Sequence, residues 1–179
     1  MLTFTQTLLE IKGDLTSDKD LFKNFVINYF LSPRFRILLN YRLGKYFAKS
    51  NFFLFKIFAT FLKVRQVKKW NCDISYNCKI GINLKMPHPI GIVIGDKVIL
   101  KDNIELFQQV TLGSHGNKQK DKSYPILEDH VRVFVGAKII GGLRIGSNSI
   151  IGANSVVNID IPDNSIAVGV PCKILNKVY

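Results

Sequence analysis

The chain has 179 residues, and 47% of them are hydrophobic, which is enough for one packed domain with an appendage. Its net charge of +12 is concentrated in residues 1–70, which carry 13 Lys and Arg against four Asp and Glu. The sequence predicts neither a signal peptide nor a membrane-spanning segment, and its three cysteines match no metal-ligand spacing. We therefore expect a cytoplasmic protein without a metal site, whose cysteines are small buried groups.

Residues 1–70 form a helical, aromatic and basic N-terminal region. Ten of the 13 phenylalanines lie between Phe22 and Phe61, and apolar residues after Pro33 recur at intervals of three and four, which predicts amphipathic helices. Ser32 and Pro33 suit the cap and the first position of one helix. Two roles stay open: packing against the rest of the chain and sister subunits, or peripheral contact with an anionic membrane. Nucleic acid is not an expected partner, because no recognised binding motif accompanies the charge.

Residues 71–179 have a period of six. Neither a helix nor an alternating strand gives this period, whereas short strands joined by tight corners do, with each apolar anchor pointing into a narrow interior. Small or apolar residues also recur four positions after most anchors. The twelve aliphatic anchors are Ile74, Ile80, Ile94, Leu100, Leu106, Leu112, Leu127, Val133, Ile139, Ile145, Ile151 and Val157.

One polar and basic segment interrupts this period. Residues 114–125, SHGNKQKDKSYP, contain Lys118, Lys120 and Lys122 and no aliphatic anchor. We expect an external loop here, and loops that leave a rigid scaffold often carry function.

The motifs of this half resemble those of a known family. The segments DISYNCKIGINLKMPHPIGIVIGDKVILKDNIELFQQVTLG, VGAKIIGGLRIGSNSIIGANSVV and AVGVPCKIL are similar to the hexapeptide-repeat acyltransferases, within their serine acetyltransferase-like branch. That branch includes O-acetyltransferases of bacterial capsules and lipopolysaccharide. The resemblance implies a mainly β fold, a left-handed parallel β-helix of hexapeptide repeats after an N-terminal α-helical segment. It also implies acetyl-CoA as co-substrate and a homotrimer with active sites between subunits.

The resemblance also assigns the catalytic residues. A neutral hydroxyl is a poor nucleophile, and histidine is a suitable base for it. His88, in MPHPIGIVIG, stands at the family's catalytic position, and Asp73, 15 residues earlier, at that of the orienting aspartate. We expect His115, in the loop, to contact substrate and His130 to face solvent at a corner.

The resemblance further implies the acetyl-CoA contacts, which are small residues whose backbone amides line the pantetheine arm, with one lysine for the phosphates. Each glycine among them could equally be only a corner of the coil. The residues are Gly113, Gly136, Ala137, Ala153, Gly169 and Lys173.

Three departures from the serine-specific relatives bear on the acceptor. Pro87 replaces an aspartate before the catalytic histidine, and Ser123-Tyr124 replaces an Arg-His pair. A site built for charged groups loses affinity when its partners are absent. The sequence thus favours an acetyl-CoA-dependent O-acetyltransferase of polysaccharide biosynthesis, which modifies a sugar hydroxyl of a bacterial surface glycan through Tyr124, His115 and Pro87. The alternatives are a serine O-acetyltransferase of cysteine biosynthesis and a non-enzymatic trimeric β-helix scaffold.

Overall fold

The computed structural model describes residues 3–15, 20–116 and 123–177. The chain divides into two compact units, Met1–Asn71 and Cys72–Tyr179. This division lies one residue after the boundary expected from the change in sequence period.

The first unit is helical. It contains α1 (Phe4–Gly13), α2 (Leu21–Leu31), α3 (Pro33–Ala48) and α4 (Phe53–Trp70), and the other three helices all pack on α3. Helix α3 begins where the sequence predicts, because Ser32 Oγ accepts a hydrogen bond from Phe35 N at 3.2 Å and Pro33 takes the first helical position. Among the residues that the structure describes, no helix is both long and apolar enough to cross a membrane.

A charged cluster lies inside this helical unit. The guanidinium of Arg42 is fully buried and lies 3.1 Å from both a carboxylate oxygen of Glu10 and one of Asp14. Burial raises the pKa of Asp14 above its usual 3.8, while Arg42 and Arg34 act in the opposite direction. These contacts join α1 to α3 through charge as well as through apolar packing.

The second unit consists of short strands that build three sheets of mainly parallel strands. The first sheet (sheet A) pairs β1, β3, β6, β9 and β12; the second (sheet B) pairs β2, β4, β7 and β10; the third (sheet C) pairs β5, β8, β11 and β13, with β14 antiparallel on β13. The strands are β1 (Asp73–Ile74), β2 (Lys79–Ile80), β3 (Val93–Ile94), β4 (Ile99–Leu100), β5 (Glu105–Leu106), β6 (Thr111–Gly113), β7 (Ile126–Leu127), β8 (Arg132–Val133), β9 (Lys138–Ile140), β10 (Arg144–Ile145), β11 (Ile150–Ile151), β12 (Val156–Val157), β13 (Ser165–Val168) and β14 (Lys173–Lys177). The expected mainly β fold with an N-terminal helical part is therefore confirmed.

Side-chain burial explains the six-residue period. All twelve aliphatic anchors are at most 4% exposed, and in each two-residue strand the anchor is the inward residue. The cysteines Cys72, Cys78 and Cys172 are free thiols and buried, as expected. Each complete circuit through sheets A, B and C thus places one aliphatic side chain from each sheet in a common core.

Candidate active site

Two corners depart from the regular coil, and they lie at opposite ends of sheet A. The connection from Lys85, on sheet C, to Val93, on sheet A, spans eight positions, whereas the equivalent connection from Glu105 to Thr111 spans six. The extra two residues fall in the corner that contains His88.

The second departure lies after sheet A. From Thr111 to Ile126 the chain advances 15 positions, whereas from Val93 to Ile99 it advances six, and both pairs connect sheet A to sheet B. The chain therefore has nine extra positions between these two strands, and they coincide with the predicted loop. The loop lysines Lys118, Lys120 and Lys122 lie outside the described residues.

Asp73 is the first residue of β1, at the His88 end of sheet A. Its side chain is exposed, while the next residue, Ile74, points into the core. The backbone N–H of Asp73 donates to the carbonyl of Ile92 at 2.9 Å, and Asp73 pairs with Val93 in the sheet. This pairing fixes the carboxyl-bearing residue against the chain segment that follows the His88 corner.

His88 lies exposed in a tight turn within the extended corner. The backbone N–H of Ile90 donates to the carbonyl of His88 at 2.8 Å, which closes the turn around Pro89. Pro87 and Pro89 flank the histidine and fix the φ angles on either side of it. The local sequence therefore holds the imidazole outside the coil, where a substrate can reach it.

A buried thiol connects these two segments, and the sequence analysis did not single it out for this role. Cys72 Sγ lies 3.1 Å from the carbonyl oxygen of Pro89 and has no exposed surface. Burial raises the pKa of the Cys72 thiol, although a hydrogen bond with the Ile92 backbone lowers it, so the sulfur keeps the proton that it donates. Cys72 precedes Asp73 and Pro89 follows His88. The contact thus brings together the backbone segments of the predicted catalytic pair.

His115 and Tyr124 lie at the other end of sheet A. The His115 ring packs against Gly141, which follows β9, and ring carbons Cδ1 and Cε1 of Tyr124 pack against Gly95, which follows β3. Within one chain, these residues are therefore separated from His88 by the strands of sheet A. His130, at an exposed corner with φ of 61°, belongs to neither group.

A cavity of about 440 Å³ opens beside Tyr124. Its lining includes the charged residues Lys97, Arg144 and Asp160, together with Ser123. The two residues that replace the Arg-His pair of the serine-specific relatives therefore border a cavity that contains both positive and negative groups.

The glycines expected to contact acetyl-CoA differ in what the fold requires of them. Gly136 and Gly169 have φ of 70° and 101°, where a side chain is strained, and a Cβ on Gly136 would overlap Asn154. Gly113 has no positive φ, and a Cβ there would meet only Ile140 Cδ1, at 3.6 Å. Of these three, Gly113 is the glycine that the described fold does not itself require.

The remaining expected contacts lie on the same unit. Ala137 is buried, whereas Ala153 and Lys173 are exposed. Lys138, which the sequence analysis missed, donates its Nζ to the carbonyls of Gln109 and Gly136 at 2.7 and 2.9 Å. It thereby ties neighbouring coils together beside Gly136.

Curated relatives of this chain are serine acetyltransferases. The enzyme of Buchnera aphidicola is 34% identical over 158 residues, which are 86% of this chain and 59% of that protein. That of Salmonella typhimurium is 33% identical over 143 residues, 80% of this chain and 51% of its own length. The Staphylococcus aureus enzyme is 41% identical over 105 residues, 59% of this chain and 49% of that protein. The chain thus spans about half the length of the curated relatives that it matches.

Solved structures give the same result over nearly the whole chain. Serine acetyltransferase of Neisseria gonorrhoeae has a TM-score of 0.83 and 29% identity, and the match covers 99% of this chain and 69% of that one. A serine acetyltransferase in complex with CoA has a TM-score of 0.80 and 27% identity, over 96% of this chain and 71% of that one. No protein-family model matches the sequence. The similarities support the hexapeptide-repeat acyltransferase family that the motifs indicated.

The predicted surface-glycan acceptor is wrong, because these relatives and structures are serine acetyltransferases. The prediction of polysaccharide biosynthesis fails with it. The prediction rested on Pro87, Ser123 and Tyr124, three departures from the serine-specific motif. The Tyr124 ring, which was expected to contact the sugar, is packed against Gly95.

Proposed function

We propose that this chain, similar along almost its whole length to serine acetyltransferases, transfers the acetyl group of acetyl-CoA to the hydroxyl of serine. The curated relatives and the solved structures support the acyltransferase activity, the acceptor and the co-substrate. The observation that carries the mechanism is the joining of the Asp73 strand to the His88 turn through Cys72 and Pro89.

His88 is the proposed general base. Its imidazole takes the proton of the serine hydroxyl while that oxygen attacks the thioester carbonyl, so a C–O bond forms and a tetrahedral intermediate results. Collapse of the intermediate breaks the C–S bond, and the imidazolium returns the proton to the departing CoA sulfur. Asp73 accepts a hydrogen bond from the other ring nitrogen and so fixes the tautomer.

The acceptor's charged groups need partners other than those of the serine-specific relatives. The cavity beside Tyr124 offers Lys97 for the carboxylate and Asp160 for the ammonium group. Because this cavity and His88 lie at opposite ends of sheet A, the proposal requires the loop end of one subunit to face the His88 end of the next. Tyr124, His115 and Pro87 remain proposed acceptor contacts on these two ends.

This requirement agrees with the assembly that the resemblance implies. We propose a homotrimer of left-handed β-helices, with acetyl-CoA bound between neighbouring subunits along Gly113, Gly136, Ala137, Ala153, Gly169 and Lys173. The cytoplasmic location stays a prediction, and it suits an enzyme that consumes acetyl-CoA.

A thiol-release assay with acetyl-CoA and L-serine tests the proposal. We expect saturable turnover that falls about 10²–10⁴-fold in His88→Ala, because a positioned base contributes that much. Asp73→Asn should lower kcat by a smaller factor. The matched control is His130→Asn, which changes another exposed corner histidine to a residue that tolerates its φ of 61° and should keep full activity.

Two outcomes would contradict different parts of the proposal. Near-normal activity of His88→Ala would refute the role of His88 as general base, whichever acceptor is used. Absence of saturable turnover with L-serine, in protein that still binds acetyl-CoA, would refute the acceptor and leave the base untested by that substrate.

A further inference from the structure

Helix α4 is apolar around most of its circumference, although only one side of it is packed. Ala59, Leu62 and Gln66 are at most 3% exposed and form its buried stripe. Phe53 and Phe61, on the opposite side, are 72% and 59% exposed. A helix that is hydrophobic all round is normally buried on every side, so the outer face of α4 lacks a cover in the described chain.

Helix α2 has the same character. Its contact with α3 includes the edge-to-face pair of Phe25 and Phe35, whose ring centroids are 5.5 Å apart. Phe22 and Phe30, at i and i+8, are 80% and 68% exposed. We call one set of exposed apolar residues on these two helices the aromatic faces: Phe22, Val26, Phe30 and Leu31 on α2 and Phe53, Leu54, Ile57, Phe61 and Val64 on α4. Exposed apolar surface on this scale marks an interaction site.

The charge around the aromatic faces identifies their partner. Residues 21–70 contain eleven Lys and Arg and no Asp or Glu. Arg42, one of these eleven, is buried and bound to the carboxylates of Glu10 and Asp14, so the positive charge of the segment comes from the other basic residues. Two copies that packed through these faces would bring like charges together. An anionic surface would instead be attracted along the whole segment.

We propose that the aromatic faces of α2 and α4 dock on an anionic lipid bilayer, which places the enzyme at a membrane surface. Apolar and aromatic side chains enter the boundary between headgroups and acyl chains, where aromatic rings are favoured. The exposed α4 residues Lys56 and Lys68 contact lipid phosphates. In this arrangement the helices lie along the membrane surface, with their aromatic faces toward the lipid. This docking goes beyond acetyl transfer and does not depend on it.

Vesicle flotation of the full chain tests the proposal. The vesicles contain phosphatidylcholine alone or phosphatidylcholine with about 30% phosphatidylglycerol, at two salt concentrations. We expect flotation only with the anionic vesicles, and weaker flotation at high salt because exposed charges are screened. Each basic residue near such a surface strengthens partitioning by about fivefold. Lys56→Glu/Lys68→Glu should therefore reduce binding by more than about tenfold, while the same change at the exposed β-helix residues Lys79 and Lys101 should not.

A second variant tests the apolar part. Phe53→Gln/Ile57→Gln/Phe61→Gln changes only exposed side chains of α4, so the buried stripe is untouched, and it should abolish flotation. Its control is Ile159→Gln, which alters an apolar residue of the β-helix that is 42% exposed. The charge-reversal pair covers the case in which this variant misfolds, and serine acetylation reports its integrity.

Several results would overturn the docking proposal. These are equal flotation on neutral and anionic vesicles, no flotation of the wild type, or binding that neither α4 variant reduces. A wild type that stays off vesicles, with an assembly mass that falls in the Phe53/Ile57/Phe61 variant, would assign the aromatic faces to a second copy of this chain. Loss of acetylation by every protein including the wild type would concern the proposed function and not the docking.

Discussion

Cys72 contacts the turn that contains His88, a role that the sequence analysis did not predict. Its position before β1 identifies it only as a small buried group, and the structure adds the 3.1 Å contact from its thiol to the Pro89 carbonyl. We expect Cys72→Ala to lower kcat by about fivefold, because the lost hydrogen bond contributes about 1 kcal/mol to holding the His88 turn. Steady-state kinetics with both substrates is the measurement.

Cys72→Ser is the matched variant, since its hydroxyl can donate the same bond. It should recover most of the lost kcat, and neither variant should raise the KM for acetyl-CoA. Equal losses in both variants would mean that the thiol fills space and does not position His88.

Alanine substitutions at Gly113 and Gly136 distinguish a glycine that contacts acetyl-CoA from one that the backbone conformation requires. Gly113→Ala adds a methyl group that meets only Ile140, so thermal stability should not change. The KM for acetyl-CoA should rise about fivefold or more, because a crowded contact costs about 1–3 kcal/mol. Gly136→Ala should instead lower the free energy of unfolding by about 1–3 kcal/mol, because its φ of 70° is strained for alanine. An unchanged KM in Gly113→Ala would remove Gly113 from the proposed acetyl-CoA contacts.

At the residue scale, the motif was sufficient to nominate His88 and Asp73, and both remain proposals until kinetics tests them. The packing of Tyr124 could not be predicted from the motif in the same way. Its ring packs against Gly95, 29 positions earlier, and no local pattern predicts a contact across that distance. The acceptor was predicted wrongly for this reason. A departure from the family motif shows which contacts are lost, and it does not show which residues take their place.

The helix boundaries were predictable where a capping signal exists. Ser32 and Pro33 gave the start of α3 correctly, whereas α4 begins after Phe52 without a side-chain cap and carries no comparable signal. Ser32→Ala should lower the free energy of unfolding by about 1 kcal/mol, because the Phe35 N–H loses its acceptor. Chemical denaturation measures this, and Ser32→Asp, which restores a capping oxygen, should recover it. A loss in both variants would assign the effect to packing.

The strands were predictable because one side chain in each of them is committed to the core. The period of six gave all twelve buried anchors, but the two extra residues at His88 are visible only as a step of 14 from Ile80 to Ile94 in place of 12. The sequence contains that signal, and the structure gives its meaning: the extended corner holds the proposed base outside the coil.

At the scale of the whole molecule, the proposed site is incomplete in one chain, because its two groups of residues lie at opposite ends of the strands of sheet A. We expect light scattering at micromolar concentration to give a mass three times the 20.3 kDa of one chain. A doubled trimer would agree equally well with a site shared between neighbours. A mass of one chain, in protein that acetylates serine at full rate, would contradict the shared site.

The register between coils has a consequence for how such a chain can be altered. Parallel strands pair across steps of 16, 18, 20 or 27 residues, as in Ile166 on Ile150, Thr111 on Val93, Val93 on Asp73, and Lys138 on Thr111, without loss of pairing in any sheet. The chain can therefore lengthen at a corner without disturbing the pairing of the strands between corners. A peptide tag or reporter inserted between Gly116 and Ser123 should leave every ladder intact, whereas one added residue inside β8 would turn its inward side chain to solvent.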